Sequence, residues 1–258
     1  MAKDLLKGYV DVETHKGITT IEFFHPQSNS LPHSILDELA NEIHDAGADK
    51  DTRVIILKSG GEKAFCAGAS FDELSRIDDP KKGFEFFSGF ANVINAMRRS
   101  PRLIIGRIQG KCVGGGVGLA AAADYAIAVE GADIRLSELA VGIGPFVVGP
   151  AVQRKIGLSA FSQLAIDAAS WRKAEWARSK GLYAELHDSV DGMEESIRRL
   201  ANQLAHSSPD AMSELKKILW QGTEDWDEFL IDRAEISGRL VLSDFTKKSI
   251  AGFKSKTS

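Results

Sequence analysis

The 258-residue sequence predicts an α/β fold whose last third is helical. Three observations predict it. Short apolar runs of strand length alternate with helical repeats from about residue 8 to 150, as βαβ units do. Beyond about residue 151 strand-like runs cease and amphipathic helical spacing takes over. The composition, 43% hydrophobic and 26% charged, is that of a chain able to bury a full core.

Gly8 to Phe24 alternates apolar and polar residues about Lys16-Gly17, which predicts an opening β-hairpin. A turn-rich stretch, His25 to Ser30, leads to Ile35, Leu36, Leu39 and Ile43, whose spacing predicts a helix over 32–46. Arg53 to Lys58 reads as a buried strand. The next unit is a helix over 81–99, with Phe84, Phe87 and Phe90 on it, and a strand over 103–108. A small-residue helix over 116–124 then feeds a strand over 125–129. Helices follow near 160–168, 173–180, 192–206, 209–220 and 224–239, and their tryptophans, Trp171, Trp176, Trp220 and Trp226, read as packing residues.

Charge and cysteine content exclude several classes. The 32 basic and 36 acidic residues give a net charge of −4, so no basic field points to nucleic acid or an anionic membrane. Cys66 and Cys112 have neither CxxC spacing nor a histidine pattern beside them, which argues against a disulfide framework and against zinc. The N-terminus lacks an apolar signal region, and no run is long enough to span a bilayer. A soluble protein of a reducing, cytoplasmic compartment is the expectation.

Three segments could carry chemistry. Phe65 to Leu74 and Gly110 to Gly118 each place glycines between a strand and a helix, where backbone N–H groups can hold an oxyanion; tight packing explains the same glycines. In the third, Leu136 to Phe146, Glu138 stands among apolar and small residues, where burial raises a carboxyl pKa and suits it to acid–base work; a solvated turn glutamate is the plain alternative.

Taken together, these segments resemble the crotonase family, the enoyl-CoA hydratase/isomerase superfamily. The resemblance rests on Asn29-Ser30-Leu31, Ala64 to Ala69, Val113 to Gly116 with the Ala-rich helix to Asp124, Ser137-Glu138 with Gly142-Ile143, and Ala174 to Leu182. It implies a spiral of ββα turns over 1–195, carrying the active site, and a C-terminal helical trimerisation region over 196–258. It implies an acyl-CoA thioester as substrate, with coenzyme A as part of that substrate and no separate cofactor or metal, and a homotrimer or dimer of trimers. It puts the two oxyanion donors on the N–H groups of Ala69 and Gly115 and the acid–base role on Glu138. Coenzyme A would be held around Lys63, Ala64, Cys66 and Ala67, with Phe253 and Lys256 contributed from the end of a chain. Asp72 and Glu73 stand where the family often has a lysine.

One departure bears on the reaction. The family's hydratases hold water between two glutamates, and the first of these positions is Gly118 here. A single carboxylate suffices to move a proton from the α to the γ carbon of a 3-enoyl thioester, and Pro145-Phe146 resembles the isomerases of the family. Δ3-to-Δ2 isomerisation is therefore the expected activity, with hydration the alternative. Two further readings compete: a dinucleotide enzyme, on the GxGxxA match at Gly116 to Ala121, and a non-catalytic acyl-CoA binder, on the missing glutamate. No GxSxG, HExxH or EF-hand pattern is present.

Overall fold

The structure is a computed structural model. It describes residues 6–257, the side chains of 253–257 excepted. The chain opens as a hairpin in which β1 (Tyr9–His15) and β2 (Ile18–Phe24) pair antiparallel, Tyr9 opposite Phe24 and His15 opposite Ile18. Lys16 and Gly17 both take positive φ, 51° and 81°. That two-residue turn has the twist the flanking strands need.

From β2 onward a strand–strand–helix unit repeats four times. The first continues through β3 (Ser30–Leu31) to α1 (His33–Ala48). The second runs β4 (Val54–Ser59), β5 (Ala64–Cys66), β6 (Gly68–Ala69), α2 (Phe71–Leu74) and α3 (Pro80–Arg99). The third is β7 (Leu103–Ile108), β8 (Lys111–Val113) and α4 (Gly115–Ala122). The fourth is β9 (Tyr125–Val129), β10 (Ile134–Arg135), a 3-10 turn (Leu139–Val141) and α5 (Gly149–Ile166).

The first strands of the units lie side by side as β2-β4-β7-β9, all parallel, while the second strands form a separate sheet in the order β10-β8-β5. This is the expected spiral. Parallel neighbours need a crossover, and each helix supplies one. Val54, Ile55, Leu57, Ile104, Ile105 and Ile127 are wholly buried, which is why these strands read as continuous apolar runs.

The C-terminal third comprises α6 (Ala174–Ser179), β11 (Glu185–His187), α7 (Val190–Ala205), α8 (Pro209–Leu219), α9 (Trp226–Leu240) and α10 (Asp244–Thr257). Here the sequence reading needs correction, because β11 joins the main sheet parallel to β9, with Glu185 opposite Ile127. Its three half-buried residues, Glu-Leu-His, carry no apolar run, so docking against β9 rather than local pattern makes it a strand. The division expected at 195/196 falls inside α7.

Close packing and one buried ion pair join the helices to the spiral. α9 crosses α3 at Gly83 and Gly238, where a Cβ on Gly83 would stand 2.6 Å from the Gly238 carbonyl oxygen. Lys216 of α8 reaches the Asp124 carboxylate at 2.5 Å, and the Trp220 indole N–H donates to the same carboxylate at 3.0 Å. Trp220 and Trp226 are buried and meet edge to face. Trp171 is instead 37% exposed, with Lys111 and Arg135 over its ring.

Candidate active site

A cavity of about 140 Å³ lies where β6, the start of α4, the turn after β10, α3 and α9 converge. Ala69, Gly115 and Glu138 all line it, as does Ala67. Three residues singled out on separate segments of sequence thus face one space.

Ala69 is set by the first ββα unit. Ser70 donates its N–H to the Leu31 carbonyl at 2.8 Å, and Ser30 Oγ donates to the Ala69 carbonyl at 2.9 Å. Successive N–H groups of an extended strand point to opposite sides, so the Ala69 N–H turns away from β3. Asn29 braces the assembly: in the left-handed region at φ 56°, it donates to the carbonyls of Gly60 (2.8 Å) and Ala64 (3.0 Å) and accepts from His25 N–H (2.8 Å). Asn tolerates that conformation better than most residues.

Gly115 is the first residue of α4, where helical N–H groups have no intrahelical acceptor. Its glycine is needed for space, since a Cβ there would stand 2.2 Å from the Phe90 ring. At Gly116 a Cβ would stand 2.3 Å from the Cys66 carbonyl oxygen.

Glu138 leads into the 3-10 turn, and its carboxylate sits over Gly114, whose φ is 52°; a Cβ on Gly114 would be 3.0 Å from Oε1. The residue as a whole is half-buried, yet Oε2 is enclosed and lacks a hydrogen-bond partner. Burial pushes the carboxyl up to about 7, against the opposing pull of its own backbone N–H. Behind the turn stands α10: a Cβ on Gly142, at φ 84°, would meet Phe245 and Thr246 at 2.5 Å.

At Gly118 the wall is apolar. A Cβ there would lie 2.6 Å from Val148 Cγ1, so Val148 occupies the space a longer side chain would enter. Among the described residues Glu138 is the sole titratable side chain lining the cavity. Of Phe84, Phe87 and Phe90, the last two line it, and Phe84 lies instead in a surface hollow between α3 and α9.

Sequence reasoning missed Phe86, Val148 and Ser237, all of which line the cavity. Phe86 belongs to the seam Gly83, Phe86, Phe90, which is the buried face of α3. Ser237 had no local signal, because α9 reaches the site only through its crossing with α3.

Of the remaining expected ligand-binding residues, Lys63, Ala64 and Cys66 do not line the cavity. Lys63 is exposed, Ala64 is half-buried, and Cys66 is wholly buried with its thiol against Gly68. Cys66 and Cys112 face each other across β5 and β8 as free thiols. Burial raises Cys66 to about 12 and Cys112 further, which leaves neither as a thiolate near neutrality. Asp72 accepts from Gln27 at 2.8 Å, and Glu73 accepts the His33 N–H at 2.8 Å, capping α1. These bonds account for two acids where the family often has a lysine. The side chains of Phe253 and Lys256 lie outside the described residues. Among the described residues no cluster of three His, Cys, Asp or Glu could hold a metal, and no helix is long and apolar enough to cross a membrane.

The architecture is that of the crotonase fold. An enoyl-CoA hydratase structure from Bacillus halodurans superposes with a TM-score of 0.87 at 21% identity, covering 95% of this chain and 99% of that one. The enoyl-CoA hydratase/isomerase profile matches residues 13–257, and the chain belongs to that family. Mouse (Mus musculus) mitochondrial methylglutaconyl-CoA hydratase is 30% identical over 200 residues, 76% of this chain and 63% of that protein's length. A probable enoyl-CoA hydratase of Bacillus subtilis is 26% identical over 241 residues, 93% of each.

Proposed function

We propose that the protein isomerises a 3-enoyl-CoA to the 2-enoyl-CoA with Glu138 as lone acid and base. The observation that carries this reading is the isolation of Glu138: among the described residues it is the one carboxylate on the cavity, one of its oxygens is orphaned, and Val148 fills the space beside Gly118. Glu138 takes the proton from the α carbon, the C3=C4 double bond shifts to C2=C3, and the same proton is delivered to the γ carbon. The thioester oxygen carries the enolate charge between the N–H groups of Ala69 and Gly115; losing one such donor typically costs about 10²–10³ in rate. A carboxyl near pH 7 suits both halves of the transfer. Coenzyme A lies along the backbone of residues 64–69, with Lys63, Phe253 and Lys256 toward its phosphates, in a homotrimer or dimer of trimers.

Hydration of a 2-enoyl-CoA is the second reading, favoured by the names of the two relatives. It asks one carboxylate to hold and activate the water that two would share, and positioning is a large part of catalysis. Wild-type rates on 3-hexenoyl-CoA and crotonyl-CoA decide between them. Faster isomerisation is expected, and faster hydration of crotonyl-CoA replaces this reading with the second.

A further inference from the structure

A second cavity, of about 640 Å³, opens on the far side of Pro145 and Phe146, which line the first cavity as well. The Phe146 ring is seated on Gly144, where a Cβ would stand 2.3 Å from the ring. One aromatic side chain and one proline therefore form the common wall. The first cavity is small beside the roughly 300–1,000 Å³ of ordinary ligand pockets, so a long acyl chain must leave it.

The chemistry beyond the wall is that of an apolar passage with charge on it. Leu158, Phe161, Trp226 and Phe229 line it together with Arg154 and Arg233. The Arg233 guanidinium lies 4.7 Å over the Phe229 ring and that of Arg154 lies 4.4 Å over Trp220. Among the described residues neither has a carboxylate within ion-pair distance, the nearby Asp124 being held by Lys216. A guanidinium stacked on a ring keeps its N–H edge available for a carboxylate. Phe229, Arg233 and Ser237 recur at four-residue spacing on α9, the first two at the second cavity and the third at the first, so one helix face passes both.

We propose that the second cavity receives the distal part of a long acyl chain ending in a carboxylate, with Phe146 as the gate and Arg233 and Arg154 as the partners of the terminal anion. The assignment rests on the acyl-CoA thioester reading above and deepens it. A wall shared with the first cavity and two unpaired cations beside apolar side chains match this occupant better than an uncharged tail.

Calorimetric binding of saturated thioesters tests it without reference to the reaction. Butanoyl-CoA, decanoyl-CoA and decanedioyl-CoA are compared on wild type, Arg233→Gln and Phe146→Trp. Decanedioyl-CoA is expected to bind wild type about tenfold tighter than decanoyl-CoA, the range of a charge-assisted bond near the surface. Arg233→Gln is expected to erase that ratio. Phe146→Trp is expected to weaken both ten-carbon esters several-fold relative to butanoyl-CoA in the same variant. Equal binding of the two long esters by wild type overturns the proposal, as does a ratio that survives Arg233→Gln. If butanoyl-CoA binds and the long esters do not, a second copy of the chain covering the cavity is the better account. If no thioester binds, the acyl-CoA reading fails with it.

Discussion

Two enclosed carboxylates flank the strands of the fourth ββα unit, Asp124 just before β9 and Glu138 just after β10, and they are treated in opposite ways. Asp124 is saturated: it accepts from Lys216 Nζ at 2.5 Å, Trp220 Nε1 at 3.0 Å and the Ile104 N–H at 2.8 Å. Glu138, which lines the cavity, keeps one oxygen without a partner, and its carboxyl is raised to about 7. A buried polar group that binds the fold together is hydrogen-bonded, so an unsatisfied one calls for another explanation. The difference separates a carboxylate that holds elements together from one kept available for a substrate.

That contrast can be broken at either end. The largest expected effect is on the rate: Glu138→Gln, nearly isosteric, should lower isomerase turnover about 10³-fold with the circular dichroism spectrum unchanged. Asp124→Ala should do the reverse, acting on stability by stranding the Lys216 ammonium, which is 3% exposed. The expected loss is about 3–5 kcal/mol, on the order of 10 °C in Tm. Equal stability losses for both variants would erase the distinction.

A subtler consequence follows from proton linkage. The Glu138 carboxyl is raised from 4.5 to about 7 by burial, so between those values the native state binds a proton that the unfolded chain does not. Stability should therefore fall as pH rises through this window, and Glu138→Gln should flatten that slope. At pH 8 the variant should be the more stable form, by at most about 3 kcal/mol. Denaturant titrations at pH 5 and pH 8 read the difference.

The spiral was legible from the sequence because its strands are buried on both faces and announce themselves as apolar runs. Glu138, Ala69 and Gly115 were legible through their motifs, and the structure places all three on one cavity. The second strands of each unit were not, since β6 and β10 are two residues long. β11, three residues with no apolar run, escaped because docking against β9 makes it a strand. Ser237 and Val148 reach the cavity through tertiary packing alone, so no local pattern could have named them.

Val148 also changes what a repair of the site would need, and this is the smallest expected effect. Gly118→Glu alone forces a side chain into Val148, and overpacking of this kind costs about 1–3 kcal/mol. Gly118→Glu with Val148→Gly opens room for a second carboxylate. The double variant should hydrate crotonyl-CoA several-fold faster relative to isomerisation than wild type does, and an unchanged ratio would mean that water is not limited by its anchors.

The pH dependence of kcat/KM for 3-hexenoyl-CoA isomerisation tests the central claim most directly. Glu138 must be ionised to take the first proton, so the rate should rise with pH through a single ionisation near 7 and level off above it. The residual activity of Glu138→Gln should show no such step. A profile already flat between pH 5 and pH 9 in wild type, or one whose step persists in Glu138→Gln, would contradict Glu138 as the acid and base.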